Sequence, residues 1–230
     1  MNNFLFVAAE NDGLPKCKAG GMGDVVRDVP RQISERGDMA HVVVPSYSRL
    51  HQNGTFITNL NLNLRGMVYV AELYEVAPKK EFANLHHYVI HHPEITAGEI
   101  GHIYHDDPEE AFYTDNIKFT IFCTAVAEAI KVGAFGEGNW FPNIPIDERK
   151  LMDYRYQDCI NLMAVGIRLA DAVHTVSPSY KEDVLRPSNP PEFIGGEGLE
   201  KDLQEANNQG RLFGILNGSN YKNIRAAEKG

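Results

Sequence analysis

Glu10, Lys18, Gly20, Gly21 and Asp24 fall within a stretch of fifteen residues near the amino terminus. A mobile cation beside backbone N–H groups that glycines leave accessible suits an anion, above all a phosphate and the sugar attached to it. A Cβ at these positions would block left-handed turns and the close approach of a ligand to the backbone. Most glycine-rich turns, however, only turn the chain. The plain alternative makes Lys18 a loop lysine, Glu10 a strand-end carboxylate and Asp24 a helix cap.

The neighbouring residues supply elements that would position this loop. Phe4-Leu5-Phe6-Val7-Ala8-Ala9 reads as a buried strand, and a helix is expected over about 23–36. A strand, a glycine turn and a helix together aim N–H groups and a positive dipole end at one point. Further strand signals lie at 41–45, 67–76, 86–91, 172–176 and 212–216. Further helix signals lie at 108–132, 148–170 and 178–186. The second helix has a start signal in Asp106-Asp107, Pro108 and Glu109-Glu110. Stretches 137–147 and 187–198, rich in Pro, Gly and Asn, read as loops. The alternation predicts an α/β fold: a Rossmann-like, doubly wound, mostly parallel sheet with ligands at the carboxyl ends of its strands.

Other candidates have simpler explanations. His86, His87, His91, His92, His102 and His105 crowd into twenty residues, and strand alternation puts His87 and His91 on one face. No carboxylate or thiolate is spaced to complete a zinc site, so solvated or edge histidines are expected and no metal is implied. The acidic pairs at 106–107 and 109–110 suit helix capping better than acid–base catalysis. Ser177 precedes Pro178 and reads as a cap rather than a nucleophile. Tyr113, Phe119 and Phe122 have the helical spacing of core residues.

Four ordered patches carry a family resemblance. Lys18-Ala19-Gly20-Gly21-Met22-Gly23-Asp24-Val25, entered from a strand ending in Ala9-Glu10, resembles the Lys-x-Gly-Gly-Leu loop of bacterial glycogen synthases and plant starch synthases. Ala19 stands where threonine is frequent and Met22 where leucine is. Phe112 through Phe119, followed by Phe122-Cys123, resembles the family's Tyr-x-Asp-Asn-x-x-Arg-Phe segment, with Lys118 in place of arginine. Ala170 through Tyr180 resembles Tyr-Ala-Asp-x-Val-x-Thr-Val-Ser-Pro-x-Tyr, and Gly198-Leu199-Glu200 with Gly214-Ile215-Leu216-Asn217-Gly218 resembles the close of the N-terminal domain.

The resemblance implies the N-terminal half of a GT-B glycosyltransferase, here a single incomplete domain over residues 1–230. It implies a retaining transfer of glucose from ADP-glucose to the non-reducing end of an α-1,4-glucan, either glycogen or a maltooligosaccharide, with no cofactor. Lys18, Gly20, Gly21, Glu10 and Asp24 are the substrate-binding candidates it marks, and no catalytic residue is assigned. The chain departs from the family between Val126 and Ile160, where a strand ending in His-x-His-Asp-Trp-His and a further strand are missing. The second Rossmann-like domain is missing as well. Little activity is therefore expected from this chain alone, and a non-catalytic glucan-binding or regulatory module is the alternative; a truncated reading of a longer enzyme also fits. An edge left by lost strands allows two copies to pair. A Rossmann dehydrogenase is excluded, because no glycine follows Gly23 in register and the second strand ends at Val44-Pro45.

Composition sets the remaining bounds. With 230 residues, 43% of them hydrophobic, the chain can bury a sizeable core. A formal charge of −9 argues against nucleic acid or an anionic membrane as partner. Three scattered cysteines, Cys17, Cys123 and Cys159, fit reduced thiols in a cytoplasm. No apolar run approaches the roughly 18 residues of a membrane span.

Overall fold

The computed structural model describes residues 1–64, 66–96, 103–104, 114–136, 147, 151–156 and 160–218. The chain forms two compact units, Met1–Pro142 and Asn143–Gly230. The first is built on a five-stranded sheet of β1 (Asn3–Val7), β2 (Met39–Pro45), β3 (Thr55–Leu64), β4 (Met67–Glu75) and β5 (Leu85–His91), in the order β1-β2-β5-β4-β3. β1, β2 and β5 run parallel, while the β3–β4 hairpin joins antiparallel to β5. The sheet is thus parallel-rich and mixed. Strand β3 is absent from the sequence reading, although Leu60, Leu62 and Leu64 alternate with Asn59, Asn61 and Asn63. Asparagine is depleted in strands, and its weak propensity hides the period of two.

Alternation along the central strands makes two cores, one on each face. Val42, Val44 and Val89 pack with Leu14, Cys17 and Val26. Val43, Tyr88 and Ile90 pack instead with Ile121, Phe122, Ala125 and Val126. The first face is covered by α1 (Gly21–Glu35), which buries Gly23, Val26, Pro30 and Ser34 at helical spacing. Gly37, with φ +91°, ends it through hydrogen bonding to Ser34 O. The second face is covered by α2 (Asp115–Lys131). The start signal expected at Asp106 to Glu110, along with Phe112 and Tyr113, lies outside the described residues. Phe122 is core as expected, and Phe119 packs partly buried against it.

Lys118 is drawn wholly inside this second face. Its Nζ lies 2.8 Å from Asp115 Oδ1 and donates to the Ile103 carbonyl at 3.0 Å. Its side chain has no exposure, so it serves the fold and not an outward-facing contact.

The second unit contains α3 (Leu162–Leu169), β6 (Val173–Thr175), α4 (Pro178–Val184), α5 (Glu200–Asn208) and β7 (Leu212–Gly214), with β6 and β7 parallel. Ile167, Val184, Leu203, Ala206 and Leu212 form its core. The Arg168 guanidinium grips Asp202 through Nε and Nη2 at 2.6 and 3.1 Å. Ser177 caps α4 as expected, its Oγ accepting from Tyr180 N at 3.0 Å. Stretch 187–198 is loop, again as expected. The helix expected over 148–170 is corrected to Leu162–Leu169 among the described residues. Asp153 Oδ1 accepts from the N–H groups of Arg155 and Tyr156, a local turn that competes with helix. Asn161 then starts α3 by accepting from Met163 N and Ala164 N. Residues 148–150 and 157–159, including Cys159, lie outside the described set, as does most of the loop expected at 137–147.

Strand β5 is central, which corrects the expectation of solvated or edge histidines for His87, while the His86 side chain stays 41% exposed. His87 is only 4% exposed, and His41 of β2 is 7% exposed, stacked 5.5 Å from His86. His102 and His105 lie outside the described residues. Burial, aided by the charge of His86, pushes both His41 and His87 down to about 4 from 6.5. Between those values the unfolded chain binds more protons than the folded one, so stability rises with pH across the window. The unfolding free energy from urea titrations should fall as pH drops from 6.5 toward 4, by up to about 3 kcal/mol per histidine, and His41→Phe should flatten the slope. A value unchanged over that range would contradict the assignment. Separately, Lys118→Ala should cost about 3–5 kcal/mol in urea unfolding, since it empties a buried site and strands the partly buried Asp115 carboxylate.

Candidate functional site

The chain leaves the carboxyl end of β1, crosses the α1 face and enters α1 at Gly21. Buried polar side chains hold this passage from beneath. Glu10 is 2% exposed, and its Oε2 accepts from Ala19 N at 2.5 Å and Gly20 N at 2.7 Å. Asn11, fully buried, accepts from Gly13 N at 2.7 Å and donates through Nδ2 to His87 Nδ1 at 3.1 Å. The low proton affinity of His87 keeps that ring nitrogen an acceptor. Backbone bonds from Asn11 N to Cys17 O and from Asp12 N to Gly23 O close the loop on itself. The Tyr47 hydroxyl donates to Ala9 O at 2.5 Å. Burial pushes the Cys17 thiol up to about 11, so it packs as a small apolar group.

Above this layer lies a chain of charges. Lys18 Nζ meets Asp24 Oδ2 at 2.7 Å, and Asp24 Oδ1 accepts from Arg27 at 3.0 Å. Arg27 also bonds Asp12, and Asp12 meets Lys79 at 2.7 Å. Partial burial alone would raise the Asp12 carboxyl, but Lys79 and Arg27 outweigh it and hold the group below its usual range. The hydrogen bond to Asp24 raises Lys18 above the usual lysine value. Lys18 and Asp24 are both about two-fifths exposed, at 39% and 42%, and exposed pairs of this kind contribute little. An incoming anion can therefore draw Lys18 away at small cost.

Of the sequence-marked residues, Glu10, Lys18, Gly20, Gly21 and Asp24 all gather at this loop. Asp24 is not the helix cap: α1 begins at Gly21 with Gly20 as its cap residue, and Asp24 sits in the first turn. Asn11, Asp12 and Arg27 complete the site and are missing from the sequence reading, and His87, read there only as one of the strand histidines, joins them. The turn-forming run Asn11-Asp12-Gly13 after a strand was the available signal for the first two. Lys118 is not among these residues. Among the described residues no three His, Cys, Asp or Glu side chains group closely enough to hold a metal ion.

The glycines differ in what they permit. None of Gly13, Gly20, Gly21 or Gly23 has positive φ, so left-handed turns do not explain them. A Cβ at Gly23 would sit 3.1 Å from both Glu10 Oε2 and Lys18 Cγ, whereas one at Gly21 would meet nothing within 4 Å. The first glycine is needed for packing, and the second leaves open space at the helix mouth. Gly23→Ala should destabilise the chain by about 1–3 kcal/mol. Gly21→Ala should be neutral or add up to about 1 kcal/mol. Thermal unfolding of both variants checks this contrast, and equal losses would contradict it.

Comparison with known proteins places this geometry. The family model for the starch synthase catalytic domain matches residues 3–145 and 133–205. Glycogen synthases from Streptococcus equi and Oceanobacillus iheyensis are 24% and 25% identical, over 93% and 99% of this chain. One from Streptococcus agalactiae is 28% identical over 93% of it. The chain spans about half the length of these relatives, 52%, 53% and 52% respectively. The catalytic domain of starch synthase IV from Arabidopsis thaliana, bound to ADP and acarbose, superposes with a TM-score of 0.69 at 19% identity. That match covers 94% of this chain and 52% of the other, and it establishes a shared GT-B fold. The strand–loop–helix carrying Lys18, Gly20 and Gly21 is thus that of the starch synthase catalytic domain family, to which this chain belongs.

Proposed function

We propose that this chain is the N-terminal half of a retaining glucosyltransferase that moves glucose from ADP-glucose to the 4-hydroxyl at the non-reducing end of an α-1,4-glucan. The observation that carries the reading is the Lys18 loop at the mouth of α1, in a chain that glycogen synthases match over nearly its whole length. The ADP and acarbose on the Arabidopsis neighbour support an adenine nucleotide and a saccharide as the ligand classes.

In this reading Lys18 swings from Asp24 to the diphosphate and offsets the charge that grows as the leaving group departs. The first-turn N–H groups of α1 act in the same direction, and the open space over Gly21 admits a phosphate oxygen. Asp24, released from Lys18, is left free to accept a sugar hydroxyl. No metal is required, because lysine and backbone dipoles neutralise the leaving group.

Residues 1–230, taken alone, correspond to about half the length of these relatives and supply one wall of such a cleft. One wall excludes water poorly and cannot align donor with acceptor. The purified chain should therefore incorporate little or no labelled glucose into glycogen from ADP-glucose. It should still bind ADP by calorimetry, and Lys18→Ala should weaken that binding about tenfold. Equal affinity in the two proteins would defeat the phosphate role of Lys18. Incorporation at ordinary enzyme rates would show that this chain is catalytic by itself.

A further inference from the structure

A carboxylate already stands where an anion would bind the glycine loop. Two loop N–H groups, those of Ala19 and Gly20, converge on one oxygen of Glu10. The residue is 2% exposed, so the carboxylate itself is closed to solvent. A Cβ at Gly23 would crowd its Oε2 at 3.1 Å, whereas one at Gly20 would make ordinary contact with its Oε1 at 3.4 Å, so Gly23 is the glycine that closes around the carboxylate. Ala19, Gly20, Gly21 and Met22 are all exposed, so what separates the two pairs of amides is the carboxylate bound to the first. A helix leaves the N–H groups of its first turn without intrahelical partners, here those of Gly21, Met22 and Gly23.

From this division we infer that Glu10 is a positioning residue that acts as a built-in anion. It occupies the amides of Ala19 and Gly20 and confines an incoming diphosphate to Lys18 and the first turn of α1. The inference rests on the phosphate-binding reading above and deepens it. Glu10 does not touch the substrate. It acts through the loop it holds and through its fixed negative charge, which repels any anion that settles deeper. An inorganic phosphate or pyrophosphate therefore finds only the outer donors, and the loop keeps its shape with or without a ligand. The Asn11–His87 pair and the Tyr47 hydroxyl brace the same passage, which keeps the carboxylate from withdrawing.

The test is a titration of the ¹⁵N-labelled chain with pyrophosphate, followed at the amide resonances of residues 19–22. In the unaltered chain, Gly21 and Met22 should move while Ala19 and Gly20 stay still. In E10A, which vacates both amides and removes the charge, all four should move and the apparent Kd should fall about tenfold. If E10A does not fold, E10D serves, because its carboxylate is shorter by one methylene and cannot reach the two amides. Movement of Ala19 and Gly20 equal to that of Gly21 in the unaltered chain would overturn the inference. If pyrophosphate moves none of the four in the unaltered chain, the phosphate-binding reading fails. Glu10 is then judged on the variant alone: a new response at Ala19 and Gly20 upholds its blocking role, and silence there refutes it.

Discussion

A buried carboxylate costs free energy unless hydrogen bonds replace the water it has lost. Glu10 meets that demand with the backbone N–H groups of Ala19 and Gly20, and the loop takes its form from the exchange. The carboxylate fixes where the chain turns, and Gly23 must lack a side chain because the carboxylate and the Lys18 stem fill its space. Asn11 cannot be left unsatisfied beneath the same loop, so it ties Gly13 to His87 of the central strand. That bond needs a ring nitrogen free to accept, which a deeply buried neutral imidazole supplies. The outer layer of charges rests on this frame and stays adjustable, as exposure of Lys18 and Asp24 requires.

The sheet allows this arrangement because its central strands are buried on both faces. Apolar residues in β2 face α1 and α2 alternately, so one short run serves two cores. On the α1 face, space remains for the polar passage between β1 and the helix. On the α2 face, Lys118 is enclosed with Asp115 and the Ile103 carbonyl, where arginine is usual in the family. The compact ammonium is suited to such an enclosure, and a planar guanidinium presents a different set of donors.

Much of this was legible in the sequence. The strand–glycine–helix order, the strand over 41–45, the cap at Ser177 and the α/β class all follow from local pattern and turn chemistry. What escaped depends on neighbours distant in sequence. β3 is a strand because β4 pairs with it, and its asparagines conceal that locally. His87 becomes an internal acceptor only when Asn11 arrives from 76 residues earlier. The bonds from Ala19 and Gly20 to Glu10 depend on a loop path that the sequence does not display. Helical pattern also carries too far at 148–170, where the Asp153 turn interrupts it.

The starch synthase domain family supplies a frame in which the loop has a purpose, and the physical chemistry of this chain indicates how the loop is kept ready for it. A loop stiffened by its own buried side chains keeps one shape without a ligand. Hydrogen exchange of the ligand-free chain over residues 8–24 tests this most directly. Protection comparable to that of β2 and β5 is the predicted result, and exchange at the rate of an open surface loop would contradict it.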